Sequence, residues 1–440
     1  FALALAAWRY PDEDGHPLGV RADMPAPQIA CCGLKLNASA ADWSALVPES
    51  LSNKELVAQD LRALQADFAQ TPLLGSLLDP ARSLKDDLAT SNVQALRELL
   101  TQALAQESSA ADAPHGELLE LALSARGLLD AARLLQGRYH LVITNVPYLA
   151  RGKQNDTLKA YCAQHYPDAK NDLANVFLER CLELAHPAKA GQGAGVVQIV
   201  MPQNWLFLTS YKKQRESLLQ RVQWNLLARL GPGAFETISG EVVQAVLLTQ
   251  TRAPAPEGFA LHGVDASAPK SAPEKALLLR EGAVVAVSQA GQLGNPDARI
   301  TLEELASGPL LETFAVSLQG VKTGDDPRLK RSFWEIQPSK RWEFAQSGPV
   351  DYELGCYWSC LDWTGDGILM ARLQGQAAFG RQGVAISTVR KVVCFPYFGH
   401  PFTSELAVVV PANEELASAI YSFCATPDYE IAVRALDQKL

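Results

Sequence analysis

Asn145, Val146, Pro147 and Tyr148 directly follow the apolar run 141–144, and they are the residues of this chain best suited to chemistry. A strand that ends in this way places a side-chain amide, a main-chain carbonyl and a flat ring at the carboxyl edge of a sheet, where open α/β folds bind ligands. The two oxygens can accept hydrogen bonds from both N–H groups of a nucleobase amine, and the ring can stack on the base. An ordinary strand that ends in an Asn-Pro turn would show the same residues.

A basic stretch lies much further along the chain. The formal net charge is −9, so the protein as a whole does not attract a phosphate backbone, and local groups would have to do so. Basic side chains alternate with tryptophans in this stretch, namely Lys322, Arg328, Lys330, Arg331, Lys340 and Arg341 with Trp334 and Trp342. The pattern predicts a groove that follows phosphates, although an exposed basic loop would contain similar residues.

The cysteines and the two ends of the chain indicate the class of protein. The 8 cysteines include no Cys-x-x-Cys pair and no histidine at metal-ligand spacing, which predicts a reduced, intracellular protein without a metal. The apolar start lacks the methionine and basic residues of a signal peptide, and no apolar run reaches the ~20 residues of a membrane span. Because neither end has a closing signal, we expect the chain to be the middle of a longer protein.

The elements that would position the tetrapeptide alternate between helix and strand. Helices are predicted at about 53–69, 92–106 and 117–135, and a buried parallel strand at 139–144. A helix that Asp172 can cap follows. Further strands are predicted at 196–201, 223–230 and 241–250, with a helix at 210–221. This order predicts a doubly wound α/β domain over residues 1–252, with a helical insertion at about 50–136.

The remainder of the chain is predicted to form a separate region. Residues 253–275 are rich in proline and alanine, which indicates a linker. Residues 276–440 have shorter elements and are predicted to form a mixed α+β region that includes the basic stretch.

Five further segments extend the similarity of the tetrapeptide to a known family. They are Asn-Asp-Leu at 171–173 with Phe-Leu-Glu-Arg at 177–180, Met-Pro-Gln-Asn-Trp at 201–205, Leu-Gly-Pro-Gly-Ala-Phe at 230–235, Gly-Val-Lys-Thr-Gly-Asp at 320–325 and Gly-Val-Ala-Ile-Ser at 383–387. In this order they resemble the PglX family of adenine-specific DNA methyltransferases from BREX phage-exclusion systems, and more broadly the fused type II restriction-modification methylases. The resemblance implies a Rossmann-like methyltransferase domain followed by a DNA target-recognition region.

The resemblance implies a role for each residue of the tetrapeptide. The side-chain oxygen of Asn145 and the main-chain carbonyl of Val146 would accept hydrogen bonds from the N6 amine of a flipped adenine. Pro147 would fix the turn and Tyr148 would stack on the base. Val146 stands where the commoner motif has proline, and this change leaves the carbonyl in place.

Other residues would contact the DNA. Phe235 occupies a position where related enzymes have a second aromatic ring, so it would enclose the base from the other side. With the basic stretch, this makes Phe235, Lys322, Arg331 and Trp334 the candidate substrate-binding residues.

The methyl donor of this family is S-adenosylmethionine, which a glycine-rich loop and an acidic residue hold. Residues 1–138 contain no Asp/Asn-Pro-x-x-Gly-x-Gly, and the family order places both features upstream of Phe1, so no cofactor-binding residue is assigned. The resemblance further implies a bacterial, cytoplasmic enzyme of phage defence that acts on double-stranded DNA. It leaves room for other phage-defence proteins as partners and implies no membrane.

Two alternatives stay open. A chain without the donor-binding loop could act only as a DNA-binding, target-recognition module. Cytosine N4 methylation would use the same two acceptors as adenine N6 methylation.

Overall fold

Contacts divide the chain in this computed structural model into two units, formed by residues 1–201 with 251–253 and by residues 202–250 with 254–440. The structure describes residues 5, 8, 9, 15–17, 19, 28–30, 47, 54–82, 116–189, 191, 193–234, 244–303, 308–348, 357–387 and 392–436. The predicted helix at about 92–106 lies outside these residues. None of the helices in the described ranges is long and apolar enough to cross a membrane.

Helices make up most of the described part of the first unit. Those that the structure describes are α1 Lys54–Phe68, α2 Thr71–Leu74, α3 Gly116–Gln136, α4 Asp156–His165 and α5 Leu173–Leu184. Phe68, Leu129, Leu158 and Val176 come from four of these helices and share one buried core. The helices predicted at 53–69 and 117–135 are confirmed, and they pack with the helices that follow the tetrapeptide.

Two parallel strands accompany these helices. They are β1 Leu141–Asn145 and β2 Val196–Pro202, with Asn145 opposite Val200. The predicted parallel pairing is confirmed, but the predicted burial of the first strand is wrong. Leu141 is 56% exposed and Ile143 is 68% exposed. The apolar, β-branched composition of this run therefore indicates strand propensity and not a buried position.

A buried arginine joins α5 to two other parts of the first unit. Arg180 is 1% exposed, and its Nη2 donates to the Leu78 and Leu135 carbonyls, each at 2.9 Å. Its Nε donates to the Ser76 carbonyl at 3.3 Å. Its Nη1 lies 3.1 Å from the Asp79 carboxylate, which is also largely buried. The guanidinium thus holds α5 against the end of α3 and the turn after α2.

We expect Arg180→Met to lower the free energy of unfolding by about 3–5 kcal/mol, because it removes the donor to three carbonyls and one of the two cationic partners of the Asp79 carboxylate. Urea unfolding followed by circular dichroism measures this change. Arg126→Met is the matched control, since Arg126 and Asp130 form a partly exposed pair at 3.9 Å that contributes at most about 1 kcal/mol. Equal effects of the two substitutions would contradict the structural role of Arg180.

The second unit begins with further α/β elements. They are α6 Lys212–Arg221, β3 Gln223–Gly231, β4 Ala245–Thr251, β5 Ala260–Asp265, α7 Ala272–Glu281 and β6 Val285–Ser288. The strands follow the order β4-β3-β5-β6, in which β5 is parallel to β3 and antiparallel to β6. The predicted linker 253–275 therefore contains a strand of the sheet. Its proline-rich flanks dominated the composition, whereas buried Leu261 and Val264 fix the strand between its neighbours.

The described part of the second unit continues with β7 Ala315–Gln319, α8 Asp326–Leu329, β8 Lys330–Ser332, β9 Trp342–Ala345, β10 Ser359–Asp362, β11 Gly383–Ser387, β12 Cys394–Tyr397, β13 Leu406–Pro411, α9 Ala417–Cys424 and α10 Pro427–Leu436. These strands form two small antiparallel sheets, in the orders β8-β10-β9 and β12-β11-β13-β7. The chain is thus mixed α/β, and the division into a catalytic and a target-recognition region stays a prediction.

Candidate active site

The tetrapeptide lies at the carboxyl end of β1. Asn145 is the last residue of the strand and is exposed, the Val146 side chain is buried, and Tyr148 is half-buried. Within the described ranges, no residue forms a hydrogen bond with the side-chain amide of Asn145 or with the main-chain carbonyl of Val146. These two adjacent acceptor groups therefore have no hydrogen-bond partner among the described residues.

The chain after Tyr148 is held against the start of α5. The Leu149 amide donates to the Asp172 carboxylate at 3.3 Å. Two residues further on, the main-chain amide of Arg151 donates to the Asn171 carbonyl at 2.9 Å. β1 fixes the tetrapeptide on one side and these bonds fix it on the other, so its backbone has little freedom.

Asp172 also caps α5, as the sequence predicts. Its carboxylate accepts a hydrogen bond from the Ala174 amide at 3.0 Å, in addition to the bond from Leu149. Burial raises the pKa of Asp172 above its ordinary value, and the two amide donors oppose this rise. One carboxylate thus joins the helix to the loop that follows the tetrapeptide.

We expect Asp172→Ala to destabilise the protein by about 1–2 kcal/mol, because it removes a helix cap and the anchor of the loop. Asp172→Asn should retain most of the stability, since its amide oxygen can accept the same bonds. Thermal or urea unfolding of the two variants measures the difference. Equal losses in both would show that the carboxylate charge, and not the acceptor geometry, is what matters.

The wild type and Asp172→Asn should also differ in their response to pH. Because the pKa of Asp172 is higher in the folded state, unfolding releases a proton at pH values between the ordinary and the folded value. The stability contributed by this residue is therefore greatest below that interval and falls as the pH rises through it. Asp172→Asn should abolish this dependence, and an unchanged pH profile in that variant would contradict the assignment.

The hydroxyl of Tyr148 takes part in no hydrogen bond with the described residues, although it is buried. Burial, with a smaller effect of the Asp172 charge, raises the pKa of Tyr148 to about 12. The phenol therefore stays protonated at neutral pH. The hydroxyl therefore cannot act as a base at neutral pH, and the aromatic ring offers a face on which a ligand can stack.

Phe235 lies outside the described residues, but the segment before it is fixed by a lysine that sequence reasoning missed. Lys275 is 2% exposed, and its ammonium donates to the Leu230 carbonyl at 2.6 Å and the Ala266 carbonyl at 3.0 Å. Burial lowers the pKa of Lys275. No sequence signal distinguishes this lysine from a solvated residue of α7, because its partners are distant carbonyls.

Arg215, on α6, is also structural and not a solvated residue of that helix. It is fully buried and donates to the Leu208 and Asp297 carbonyls, each at 2.8 Å, and to the Ala298 carbonyl at 3.1 Å. Burial, with a smaller effect of the Arg299 charge, lowers the pKa of Arg215 to about 10. The segment that follows β2 therefore needs this guanidinium for its own structure.

The predicted basic groove divides into two places. Lys322 is exposed and lines a cavity that does not include Arg331 or Trp334. The Arg331 guanidinium donates to the carbonyls of Pro327 and Lys330, so it is partly occupied by its own backbone. Trp334 is 59% exposed and belongs to an aromatic cluster.

The aromatic cluster consists of Phe333, Trp334, Phe344 and Trp358. The ring centre of Trp334 lies 5.0 Å from those of Phe333 and Trp358, in edge-to-face geometry. Phe344 is 48% exposed. Trp334, which the sequence indicated, therefore belongs to a partly exposed group of aromatic rings on which a base could stack.

Comparison with known proteins finds a family match for the part of the chain that contains the tetrapeptide. Residues 30–233 match the family of Eco57I restriction-modification methylases. This part of the chain is similar to restriction-modification methylases. Asn145, Val146, Pro147, Tyr148 and Asp172 all lie inside it.

Two curated relatives match shorter stretches. The adenine-specific methyltransferase PglX of Lacticaseibacillus casei (strain Zhang) is 37% identical over 121 residues, which are 27% of this chain and 9% of the relative. The adenine-specific methyltransferase BrxX of Escherichia coli O9:H4 (strain HS) is 35% identical over 116 residues, 26% of this chain and 9% of the relative. The aligned residues thus span about a tenth of either relative.

Among solved structures, the Type IIL restriction-modification enzyme MmeI in complex with DNA superimposes with a TM-score of 0.43 and 12% identity, over 67% of this chain and 43% of that chain. The range that matches the methylase family ends two residues before Phe235. Lys322, Arg331 and Trp334 lie beyond it.

Proposed function

We propose that the full-length protein transfers a methyl group from S-adenosylmethionine to N6 of adenine at a specific DNA sequence, as a cytoplasmic enzyme of phage defence. The observation that supports this most directly is the pair of available oxygens on Asn145 and Val146 at the end of β1. The methylase family of this domain and the adenine-specific activity in the names of both curated relatives agree with it.

The two oxygens can prepare an amine for methyl transfer. An amine that donates one N–H to the Asn145 side chain and one to the Val146 carbonyl is held with its nitrogen lone pair turned away from the ring. The acceptors also stabilise the positive charge that develops on this nitrogen during transfer. Orientation and electrostatics suffice, because the N–H proton becomes acidic only after the new bond has formed.

The target base has to leave the duplex to reach these oxygens. Extrusion costs a few kcal/mol, and stacking on an aromatic ring returns about 1–3 kcal/mol. Tyr148 follows the acceptors by two residues and is held by the loop that Asp172 anchors, so we propose it as the stacking ring. Phe235 is proposed as the second ring.

S-adenosylmethionine would supply the electrophilic methyl group, and the methylase family implies its use. The described residues before β1 include helices but no strand with a glycine-rich loop after it. No residue of this chain is therefore assigned to hold the cofactor.

In the full-length protein, we expect Asn145→Ala to reduce methylation at least about 10²-fold, as the loss of one preorganised group in a transition state does. DNA binding should change little, because the oxygen contacts only the extruded base. Methyl incorporation into duplex DNA and equilibrium binding measure the two effects. Gln164→Ala, which removes an exposed side-chain amide from α4, is the matched control, and normal methylation by Asn145→Ala would remove Asn145 from the mechanism.

The two functions of a tyrosine can be separated at position 148. We expect Tyr148→Phe to methylate DNA normally, because the hydroxyl forms no bond among the described residues. Tyr148→Ala should weaken capture of the extruded base by about 1–3 kcal/mol. Fluorescence of 2-aminopurine at the target position reports extrusion, and a large loss in Tyr148→Phe would show that the hydroxyl acts on the substrate.

The choice of base is a separate question, since the amine of cytosine fits the same acceptors. Mass analysis of nucleosides from methylated DNA distinguishes N6-methyladenine, which we expect, from N4-methylcytosine. A full-length protein that binds DNA and forms neither product would instead be a DNA-binding, target-recognition module. Double-stranded DNA and other phage-defence proteins are the proposed partners.

A further inference from the structure

A cavity of about 320 Å³ lies in the second unit, between the loop 320–324 and residues 403–405. Its lining includes the side chains of Lys322 and Lys330 and the hydroxyl residue Ser404. Apart from Lys322, the proposed methyl-transfer mechanism uses none of these groups.

The loop 320–324 has a fixed backbone. The Val321 amide donates to the Phe402 carbonyl at 2.7 Å, and the Gln374 side chain donates to the Gly320 carbonyl at 2.8 Å. Gly324 has a φ of +80°, and a Cβ there would lie 2.7 Å from the Ala371 Cβ, so only glycine fits. The loop therefore presents its side chains from a rigid support.

Lys322 faces a second basic residue. Lys322 and Arg372 form an antiparallel bridge, in which each amide donates to the other residue's carbonyl at 3.0 Å. Residues directly opposite each other in such a bridge have their Cβ atoms on the same side, about 4.5–5.5 Å apart. Both residues are exposed, and neither forms an ion pair within the described ranges. Two basic side chains without an ion pair in the described ranges therefore extend from backbone positions that lie opposite each other.

The carboxylates around the cavity are already occupied. Glu405 accepts from the Gly348 amide at 2.8 Å and lies 3.5 Å from the Lys330 ammonium. Asp326 accepts a hydrogen bond from the Thr323 hydroxyl. Asp326 keeps its single negative charge, and Lys322 and Arg372 together supply two positive charges, so the ligand they favour is an anion.

We propose that Lys322 and Arg372 hold one phosphate of the DNA backbone between them. This proposal rests on the proposed DNA methyltransferase function and adds Arg372, which no sequence motif indicates. An ammonium and a guanidinium on a rigid bridge suit a single phosphodiester, since the guanidinium can donate two parallel bonds and the ammonium a third. Such a contact positions the duplex without reading its sequence.

The test is the salt dependence of binding between the full-length protein and labelled duplex DNA. The logarithm of the binding constant falls with the logarithm of salt concentration by about 0.9 for each phosphate that is neutralised. We expect the double variant Lys322→Ala, Arg372→Ala to reduce the magnitude of this slope by about 0.9, because both side chains share one phosphate. Two separate phosphate contacts would reduce it by about twice that value. The loss of affinity should be the same for specific and unrelated DNA.

Matched variants complete the design. Lys322→Arg and Arg372→Lys keep the charges and should keep the slope, and Arg280→Ala removes an exposed charge on α7 as the control. Circular dichroism verifies folding, and Arg372→Gln replaces Arg372→Ala if that variant is unstable.

The outcomes separate the two proposals. An unchanged slope in the double variant, while the wild type binds and methylates DNA, would overturn the phosphate contact alone. A loss confined to the specific sequence would show base reading and would also overturn it. A wild type that neither binds nor methylates DNA would overturn the proposed function, and the phosphate contact with it.

Discussion

The candidate site depends on two adjacent oxygen acceptors, on Asn145 and Val146, that form no hydrogen bond with the residues the structure describes. An amide oxygen on Asn145 and the carbonyl of Val146 can bind an amine only if the backbone between them does not relax toward other donors. The parallel pairing of β1 with β2 fixes the first residue. The bond from Leu149 to Asp172 fixes the chain that follows.

Buried polar groups extend this support outward. Asp172 is also the cap of α5, and the same helix is held by Arg180 through carbonyls of Leu78 and Leu135. In the second unit, Arg215 donates to a carbonyl of the segment that follows β2, and Lys275 donates to a carbonyl at the end of β3. Each is a charged donor that serves several carbonyls in a place with little water, so its removal would leave several groups unsatisfied at once.

Local signals in the sequence predict the secondary structure around the tetrapeptide. The tetrapeptide directly follows an apolar run, and Asp172 directly precedes an apolar helix stripe, so each signal is local in the sequence. The structure places the tetrapeptide at the end of β1 and Asp172 at the cap of α5. Contacts between distant segments could not be predicted in this way. Leu141 and Ile143 are exposed although their composition suggested burial, and β5 lies in a proline-rich segment because its sheet partners are remote in sequence. The bridge between Lys322 and Arg372 joins two loops that no periodicity relates.

The most direct test is a structure of the full-length protein bound to its DNA, in which the distances from the Asn145 Oδ1 and the Val146 carbonyl to the target amine are measured. The account predicts that both are hydrogen-bond distances of about 2.7–3.2 Å and that the base is outside the duplex. A target adenine that stays stacked, or an extruded base whose amine is held by other residues, would contradict it.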